Sequence, residues 1–292
     1  MRHRAAAGYP QVVSVLTRFA PAPTGFLHLG HVVNALHVWQ AAHDRDGRVL
    51  LRIEDHDRQR SRPEYEAAIL EDLAWLGFQH DGAVTRQSER DALYRKALQP
   101  LIDRELVYGC KCTRAELASG VGSPSTSLRT GRESGVEIRY PNSCRDRDIP
   151  LTDDVGWRLR IEPGTESFFD EILGPQVQDP SAQCGDLLVR DRLGNWTYQF
   201  AVTVDDYLQQ ITHVIRGIDL LPSTGRQIRV ARLLGRDKMP QFAHHGLVMK
   251  SATEKLSKSD GDTGVRDLRA AGWTAEAVLA EARRLAARGA RG

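Results

Sequence analysis

The chain has 292 residues, of which 41% are hydrophobic and 27% charged, and its net charge is +2. This is the composition of one large globular domain or two, and it excludes a disordered chain, a fibre and a disulfide-stapled miniprotein. The near-neutral balance means that any nucleic acid has to be met by a local basic patch. No apolar run reaches the ~18 residues that a membrane span needs, and residues 1–11 lack the apolar core of a signal peptide, so we expect a cytoplasmic protein without membrane contact.

The first third of the sequence predicts strands alternating with helices, which is the order of a parallel α/β sheet. The first strand runs into the breaker-rich stretch 20–25, and the second helix has Pro63 in its first turn and Gly77 as its stop. The predicted elements are a strand over 12–19, a helix over 31–42, a strand over 49–53 and a helix over 63–76.

Residues 119–135 are rich in Gly, Ser and Thr without apolar periodicity, and they predict a flexible loop. The α/β pattern resumes at Leu187, and the chain ends in a helix that Thr274 caps and that runs to about residue 288. The other elements predicted here are strands over 187–190 and 211–215 and a helix over 227–234.

Two histidines spaced i and i+3 open the first predicted helix, within the sequence Pro-Thr-Gly-Phe-Leu-His-Leu-Gly-His at 23–31. They follow the carboxyl end of a predicted parallel strand, where ligands bind, and a helix N-terminus favours anions. Gly25 and Gly30 permit a nucleotide to approach the backbone closely, and His28 and His31 can face one phosphate. The structural alternative is a strand-to-helix turn with two exposed histidines.

A second motif, Lys-Leu-Ser-Lys-Ser at 255–259, lies in a polar stretch near the end of the chain. Two lysines and two hydroxyls suit a polyphosphate that must be gripped and released. Taken alone, such a run is more often a solvated loop.

Together the two motifs resemble the HIGH and KMSKS signatures of the class I aminoacyl-tRNA synthetases. The stretches 18–25, 52–55 and 214–217 resemble the catalytic domain of glutamyl-tRNA synthetases, and the resemblance covers residues 17–272. Since only residues 260–292 follow the second motif, the chain is similar to the truncated glutamyl-Q tRNA(Asp) synthetase family. That family activates glutamate and esterifies it to queuosine in the anticodon of tRNA(Asp).

The resemblance implies an α/β, Rossmann-like catalytic domain with an inserted small zinc-binding and acceptor-binding subdomain and no anticodon-binding domain. Residues 12–100 would form the first half of the catalytic domain. Residues 101–185 would form the insertion, including the flexible loop. Residues 186–292 would form the second half, with the KMSKS-type loop and the terminal helix.

The four cysteines are too few for a secreted disulfide framework, and Cys110 and Cys112 are too close in sequence to bridge each other comfortably. This clustering suggests a metal, with the fourth ligand open among Cys184, a histidine and water. The alternative is a set of buried thiols acting as small apolar residues. The resemblance implies one structural Zn²⁺ held by Cys110, Cys112, Tyr140 and Cys144, with Cys184 outside the site.

The resemblance also implies which residues bind ATP, which would come with Mg²⁺. The expected ATP-binding residues are His28, Gly30, His31, Lys255 and Lys258. Among them His28, His31 and Lys258 are the expected catalytic residues, because they would stabilise the charge that builds on the phosphates.

Glutamate requires a fixed cation for its side-chain carboxylate, and Arg18 and Arg216 are the expected ones because a guanidinium forks onto a carboxylate. Glu54 suits the substrate ammonium, and Tyr198 can donate a hydrogen bond. Ala22 occupies a position where the family usually has serine, so we expect glutamate binding there to be weaker or differently arranged.

The expected partners are ATP, L-glutamate and queuosine-containing tRNA(Asp), met by a monomer. The RNA phosphates call for a local basic strip. The arginines expected to form this strip are Arg132, Arg139, Arg145 and Arg147. The alternatives are a minimal glutamyl-tRNA synthetase that charges tRNA(Glu), a nucleotidyltransferase that adenylates a carboxylate without tRNA, and a non-catalytic relic of a synthetase.

Overall fold

The computed structural model describes residues 14–118, 139–248 and 264–289. Its strands are β1 (Leu16–Phe19), β2 (Arg48–Ile53), β3 (Thr85–Arg86), β4 (Val107–Cys110), β5 (Gly156–Leu159), β6 (Glu166–Asp170), β7 (Gly174–Gln178), β8 (Leu187–Arg190), β9 (His213–Gly217) and β10 (Gln241–His245). Its helices are α1 (Leu29–His43), α2 (Pro63–Trp75), α3 (Asp91–Asp103), α4 (Arg114–Ala118), α5 (Pro180–Cys184), α6 (Tyr198–Leu208), α7 (Thr224–Leu233), α8 (Val265–Ala270) and α9 (Ala275–Gly289).

The sequence predicts a sheet of parallel strands, and two of the sheets in the structure contain such strands. One sheet has the order β1-β2-β3 and the other the order β7-β6-β10-β9, and all pairs in them are parallel except β6 with β7. The two sheets meet where Thr212 N donates to Leu16 O at 2.8 Å and Leu16 N donates to Thr212 Oγ1 at 2.8 Å. The starts of β1 and β9 therefore lie side by side.

A third sheet is antiparallel and has the order β4-β5-β8. β8 has the predicted bounds 187–190, but its partner is β5 rather than a strand of the parallel sheets. The predicted boundary between residues 185 and 186 therefore falls between two strands of one sheet. Apolar content predicts that a segment is a strand, yet it carries no information on the partner of that strand.

Other predicted elements are present with shifted ends. α1 begins at Leu29, two residues before the predicted start, because His28 rather than a later residue caps it. β9 lies two residues further along than predicted and α7 begins three residues earlier. The last helix begins where predicted, and Thr274 Oγ1 accepts the backbone N–H of Ala277 at 3.2 Å.

The main core lies between the β1-β2-β3 sheet and the helices α1, α2 and α9, with Phe19, Leu51 and Val38 at its centre. A second core lies under the antiparallel sheet, where α3 and α6 bring Tyr94 and Phe200 against Trp196. The predicted elements included neither α3 nor α6. Within the described ranges, no helix combines the length and the apolar character needed to traverse a membrane.

Candidate active site

The two histidines of the first motif form a cap at the N-terminus of α1. Gly30 N donates to His28 Nδ1 at 3.0 Å, and His28 N donates to His31 Nδ1 at 3.1 Å. Because each Nδ1 accepts a backbone N–H, the proton of each neutral ring lies on Nε2. A Cβ at Gly30 would lie 2.8 Å from His28 Cε1, so glycine is required for this ring position. The cap thus combines two imidazole donors with the positive end of a 15-residue helix.

The chain that follows the second motif returns to this cap. Gly264 forms a bridge with His28, and Val265 N donates to Leu27 O at 2.8 Å. Lys255 and Lys258 themselves lie outside the described residues.

Arg18, at the end of β1, is buried and ion-paired. Its Nε donates to Asp206 Oδ1 at 3.0 Å, and Arg52 Nη1 donates to the same oxygen at 2.8 Å. Although burial acts to raise the pKa of Asp206, the charges of Arg18 and Arg52 lower it, so this carboxylate is ionised. Asp206 was missed in the sequence, where the only signal was an acidic pair, Asp205 and Asp206, within an apolar helical segment.

Glu54 follows β2 and is 8% exposed. Arg52 Nη2 donates to Glu54 Oε1 at a long 3.4 Å. Burial raises the pKa of Glu54 despite the opposing charges of Arg52, His56 and Arg18. The carboxylate is thus incompletely compensated, and a further cation at this point would stabilise its ionised form.

Arg216, at the end of β9, is 4% exposed, and the described residues place no carboxylate within ion-pairing distance of it. Its three nitrogens donate to neutral acceptors, namely His244 Nε2 at 3.0 Å, Gln227 Oε1 at 2.8 Å and Thr224 Oγ1 at 2.9 Å. Burial lowers the pKa of Arg216. A buried guanidinium without an acidic partner is a ready site for an anion.

Four of the five residues predicted for the amino acid converge in one electrostatic cluster. Burial raises the pKa of Tyr198, at the start of α6, and the charges that act on this phenol include Arg216, Glu54 and Arg18. Ala22 is half-buried in the loop after β1, and its carbonyl accepts Thr24 N at 2.9 Å. Glu54 N donates to Pro21 O at 3.0 Å, so this loop is tied to the cluster.

Three of the four predicted metal ligands form the one group of His, Cys, Asp and Glu within the described ranges that is compact enough for an ion. The sulfurs of Cys110, Cys112 and Cys144 lie within 4.8 Å of one another, and those of Cys112 and Cys144 are 3.5 Å apart. Tyr140 Oη lies 3.3 Å from Cys110 Sγ. Tetrahedral Zn²⁺ with bonds of about 2.3 Å to sulfur and about 2.0 Å to oxygen needs spacings of about 3.8 Å and 3.5 Å. The donor set therefore fits zinc.

An arginine supports this cluster from β5, next to the strand that carries Cys110. Arg158 Nε donates to Cys110 Sγ at 3.2 Å, and its guanidinium carbon lies 3.4 Å from the centroid of the Tyr140 ring. Arg158 Nη1 also donates to Asp186 O at 2.8 Å. A cation that donates to sulfur stabilises a thiolate, the form that binds metals. Cys184 lies elsewhere, with its Sγ 3.2 Å from the carbonyl of Pro180.

Comparisons of the chain with known proteins identify its family. The family described as tRNA synthetases class I (E and Q), catalytic domain, matches residues 14–290. A glutamyl-Q tRNA(Asp) synthetase of Rhodobacter capsulatus is 39% identical over 271 residues, which are 88% of this chain and 96% of the relative. One of Bordetella bronchiseptica is 42% identical over 261 residues, which are 89% of this chain and 79% of the relative. The chain belongs to the glutamyl-Q tRNA(Asp) synthetase family.

This family member is accordingly a ligase with a class I synthetase catalytic domain. Among solved structures, it is similar to a glutamate tRNA ligase of Elizabethkingia meningosepticum in complex with its amino acid, with 30% identity and a TM-score of 0.70. The match covers 85% of this chain and 53% of the ligase, so the chain spans about half the length of that protein.

A cavity of about 770 Å³ is lined by residues of both predicted sites of this synthetase. Tyr198 and Gln199 line it together with Cys110, Cys112 and Tyr140, whereas Arg18, Glu54 and Arg216 do not. Its size is that of a ligand pocket.

Of the arginines expected to form an RNA-binding strip, some form hydrogen bonds or ion pairs within the protein. Arg145 pairs with Glu162 at 2.6 Å and with the buried Asp186 at 3.1 Å, and Arg139 Nε donates to Ala182 O at 3.0 Å. Arg147 is exposed, and Arg132 lies outside the described residues. Arg145 is thus engaged within the protein, and a contact of the strip with RNA stays a prediction.

Proposed function

We propose that this synthetase activates L-glutamate with ATP, without tRNA, and transfers glutamate to the queuosine of the tRNA(Asp) anticodon. One observation carries the proposal. A buried cluster contains Arg18 of β1, the strand that precedes the histidine-capped helix α1. The other members of this cluster are Arg216, Glu54 and Tyr198. Two buried guanidiniums, a partly compensated carboxylate and a phenol are the complement of glutamate. The names of the relatives support the choice of acceptor.

In the first step, an oxygen of the glutamate α-carboxylate attacks the α-phosphorus of ATP. The new O–P bond replaces the bond to the β-phosphate, and pyrophosphate leaves with its electron pair. His28 and His31, with the N-terminus of α1, stabilise the charge on the phosphoryl oxygens. Lys258 and Lys255 hold the departing pyrophosphate, and Mg²⁺ accompanies ATP.

Arg216 binds the side-chain carboxylate of glutamate, since its charge is uncompensated, while Arg18 is shared with Asp206. Glu54 binds the ammonium group, and this positive charge in turn stabilises the ionised form of Glu54. Glutamine would leave the charge of Arg216 without a partner in a buried site, so the pocket selects the acid over the amide.

Restoring a serine at position 22 tests the predicted role of Ala22. The added hydroxyl of Ala22→Ser is expected to leave the KM for glutamate unchanged or to lower it by up to about tenfold, since a hydrogen bond to a charged group contributes about 1.5 kcal/mol or less at a half-buried site. The measurement is the glutamate dependence of pyrophosphate exchange, with the KM for ATP as the internal control. A large rise in the KM for glutamate would show that the pocket is arranged differently.

In the second step, a hydroxyl of the queuosine ring attacks the carbonyl carbon of glutamyl-adenylate, an ester bond forms and AMP leaves. The cavity lined by Tyr198 and Gln199 is the site we propose for the acceptor nucleoside. Zinc, held by Cys110, Cys112, Tyr140 and Cys144, would stabilise the part of the cavity wall that Cys110, Cys112 and Tyr140 form, as a structural ion.

The zinc proposal predicts a metal content of one Zn²⁺ per chain for the purified protein. Cys144→Ser is expected to lower that content to below about a tenth, because thiolate ligands contribute most of the affinity of such a site. The measurement is elemental analysis of the protein after gel filtration. Cys184→Ser is the matched control, since Cys184 is also buried but lies outside the cluster, and it should retain the metal. Equal zinc in both variants would contradict the assignment.

Exchange of labelled pyrophosphate into ATP, dependent on glutamate and with no tRNA present, tests the proposed function. Exchange under these conditions, followed by esterification of queuosine-containing tRNA(Asp) but not of tRNA(Asp) lacking queuosine, is the expected result. Activity only in the presence of tRNA(Glu) would identify a minimal glutamyl-tRNA synthetase instead, which the similarity to the solved glutamate ligase also suggests. Silence with both tRNAs would overturn the proposal.

A further inference from the structure

A line of buried polar contacts leads from Arg216 across two neighbouring strands of its sheet. His244 of β10 stands in register with Arg216 of β9. Arg216 Nε donates to His244 Nε2 at 3.0 Å, and His244 Nδ1 lies 2.6 Å from Asp170 Oδ2, at the end of β6. His244 and Asp170 are both fully buried. Three neighbouring strands thus contribute one residue each.

The contacts fix the protonation of His244. The Nε–H of an arginine only donates, so His244 Nε2 has to present its lone pair, and the ring proton lies on Nδ1. That proton is donated to Asp170, whose Oδ1 also accepts the backbone N–H groups of Ile172 at 3.0 Å and Leu173 at 2.9 Å. Burial and the charge of Arg216 lower the pKa of His244 to about 4, so the imidazole is neutral at neutral pH.

Two further neutral acceptors complete this frame. Thr224 Oγ1 accepts Arg216 Nη2 and lies 3.2 Å from His244 Nε2. Gln227 Oε1 accepts Arg216 Nη1, and Gln227 Nε2 donates in turn to Gln199 Oε1 at 2.8 Å. The frame satisfies three N–H groups of the guanidinium without neutralising its charge.

Arg18 provides the contrast, because its Nε donates to the carboxylate of Asp206 rather than to an imidazole. A carboxylate at the position of His244 would neutralise Arg216 in the same way. An apolar side chain there would leave a buried Nε–H without an acceptor, and the guanidinium would be expected to rotate toward another partner.

We propose that His244, oriented by Asp170, is a positioning residue that holds Arg216 through a neutral acceptor and so reserves the charge of Arg216 for the side-chain carboxylate of glutamate. This inference rests on the proposed function, in which Arg216 binds that carboxylate. It makes His244 a determinant of the choice between glutamate and glutamine, although His244 itself does not contact the substrate.

The test compares His244→Leu with His244→Gln in glutamate-dependent pyrophosphate exchange. Leucine lacks the acceptor, and it is expected to raise the KM for glutamate about 10- to 100-fold, as for loss of a hydrogen bond to a charged group, with the KM for ATP unchanged. The preference for glutamate over glutamine should fall by a similar factor. In the His244→Gln variant, the new side chain at position 244 offers both a donor and an acceptor. This variant should therefore have a KM for glutamate nearer to that of the wild type.

His213→Leu is the matched control. Like His244, His213 is a buried histidine, but it lies in the neighbouring strand β9 and contacts Thr212 and Glu171. It should leave the KM for glutamate within about twofold of the wild type. If His244→Leu does not fold, Asp170→Asn takes its place, since an amide no longer fixes the ring proton, and it should raise the KM for glutamate alone. A KM for glutamate unchanged in the folded variants, or an equal rise in the KM for ATP, would overturn the inference.

Failure of the inference and failure of the proposed function give different results. Calorimetric binding of glutamate alone to the full chain is measured beside exchange. A wild-type chain that binds glutamate without catalysing exchange overturns the proposed activation, and the Kd values of the His244 variants then decide the inference. A wild-type chain that neither binds nor activates glutamate overturns both.

Discussion

Replacing Arg216 by glutamine is expected to lower kcat/KM for glutamate by about 100- to 1,000-fold, with little change in the KM for ATP. The buried guanidinium has no acidic partner among the described residues, and it is held by His244, Thr224 and Gln227. Glutamine is uncharged, so the substrate carboxylate would have to enter a buried site without its cation. The measurement is steady-state pyrophosphate exchange with glutamate varied at saturating ATP.

Arg232→Gln is the control for this experiment. Arg232 lies on α7, is half exposed and pairs with Glu166 at 3.0 Å, so its loss changes surface charge without reaching the amino-acid pocket. Its kcat/KM for glutamate should equal that of the wild type. An Arg216→Gln variant that keeps at least half of the wild-type value would show that Arg216 does not bind the side-chain carboxylate.

The residues proposed to contact glutamate were identified in the sequence, while the residues that hold them in place were not. Arg18, Glu54 and Arg216 lie in short stretches whose local order resembles a known family, and the structure brings them into one cluster. Asp206 and His244 act across long sequence separations, 188 residues from Arg18 and 28 residues from Arg216. Nothing in local spacing indicates such pairs, because strand register places His244 beside Arg216 and the packing of α6 against β1 places Asp206 beside Arg18.

The cysteine cluster illustrates the same limit. Cys-x-Cys and a distant cysteine indicated a metal site, and the three sulfurs do converge. Arg158 was not expected there, although it lies on the strand next to Cys110 and donates to its sulfur. From the sequence alone, an arginine in an apolar strand is expected to be half exposed. Only the antiparallel pairing of β4 and β5 shows that Arg158 lies beside the cysteine cluster.

Sequence propensity predicted some secondary-structure elements correctly, but it did not predict which elements pack together. The strand over 187–190 was predicted with the right bounds, but its antiparallel partner β5 was not, since residues far apart in sequence pair there. α6 carries Asp205 and Asp206 in its buried face, which broke the apolar pattern that predicts a helix. The charges that obscured this helix are the ones that join it to β1 and β2.

Asp205 of α6 is expected to contribute strongly to the stability of the contact between α6 and the start of α3, and Asp205→Asn should lower the free energy of unfolding by about 3–5 kcal/mol. The carboxylate is fully buried and accepts from Arg90 Nε at 2.6 Å, Gln87 Nε2 at 2.8 Å and Tyr94 Oη at 2.9 Å. Arg52 Nε lies 3.9 Å away. An amide of equal size would leave buried guanidinium charge uncompensated and would set a donor against donors. Urea denaturation followed by circular dichroism measures the change.

Tyr94→Phe separates the charge of Asp205 from its hydrogen bonds. It removes one neutral donor from the same carboxylate without opening a cavity, and the carboxylate keeps its other two donors, so it should cost about 1.5 kcal/mol, the low end for a hydrogen bond to a charged group. If the two variants were equally stable, the carboxylate would act as an ordinary hydrogen-bond acceptor. A large difference between them, with Asp205→Asn the less stable, is what a carboxylate that compensates Arg90 and Arg52 requires, because removing one member of a buried ion pair leaves the other charge in a medium of low polarity.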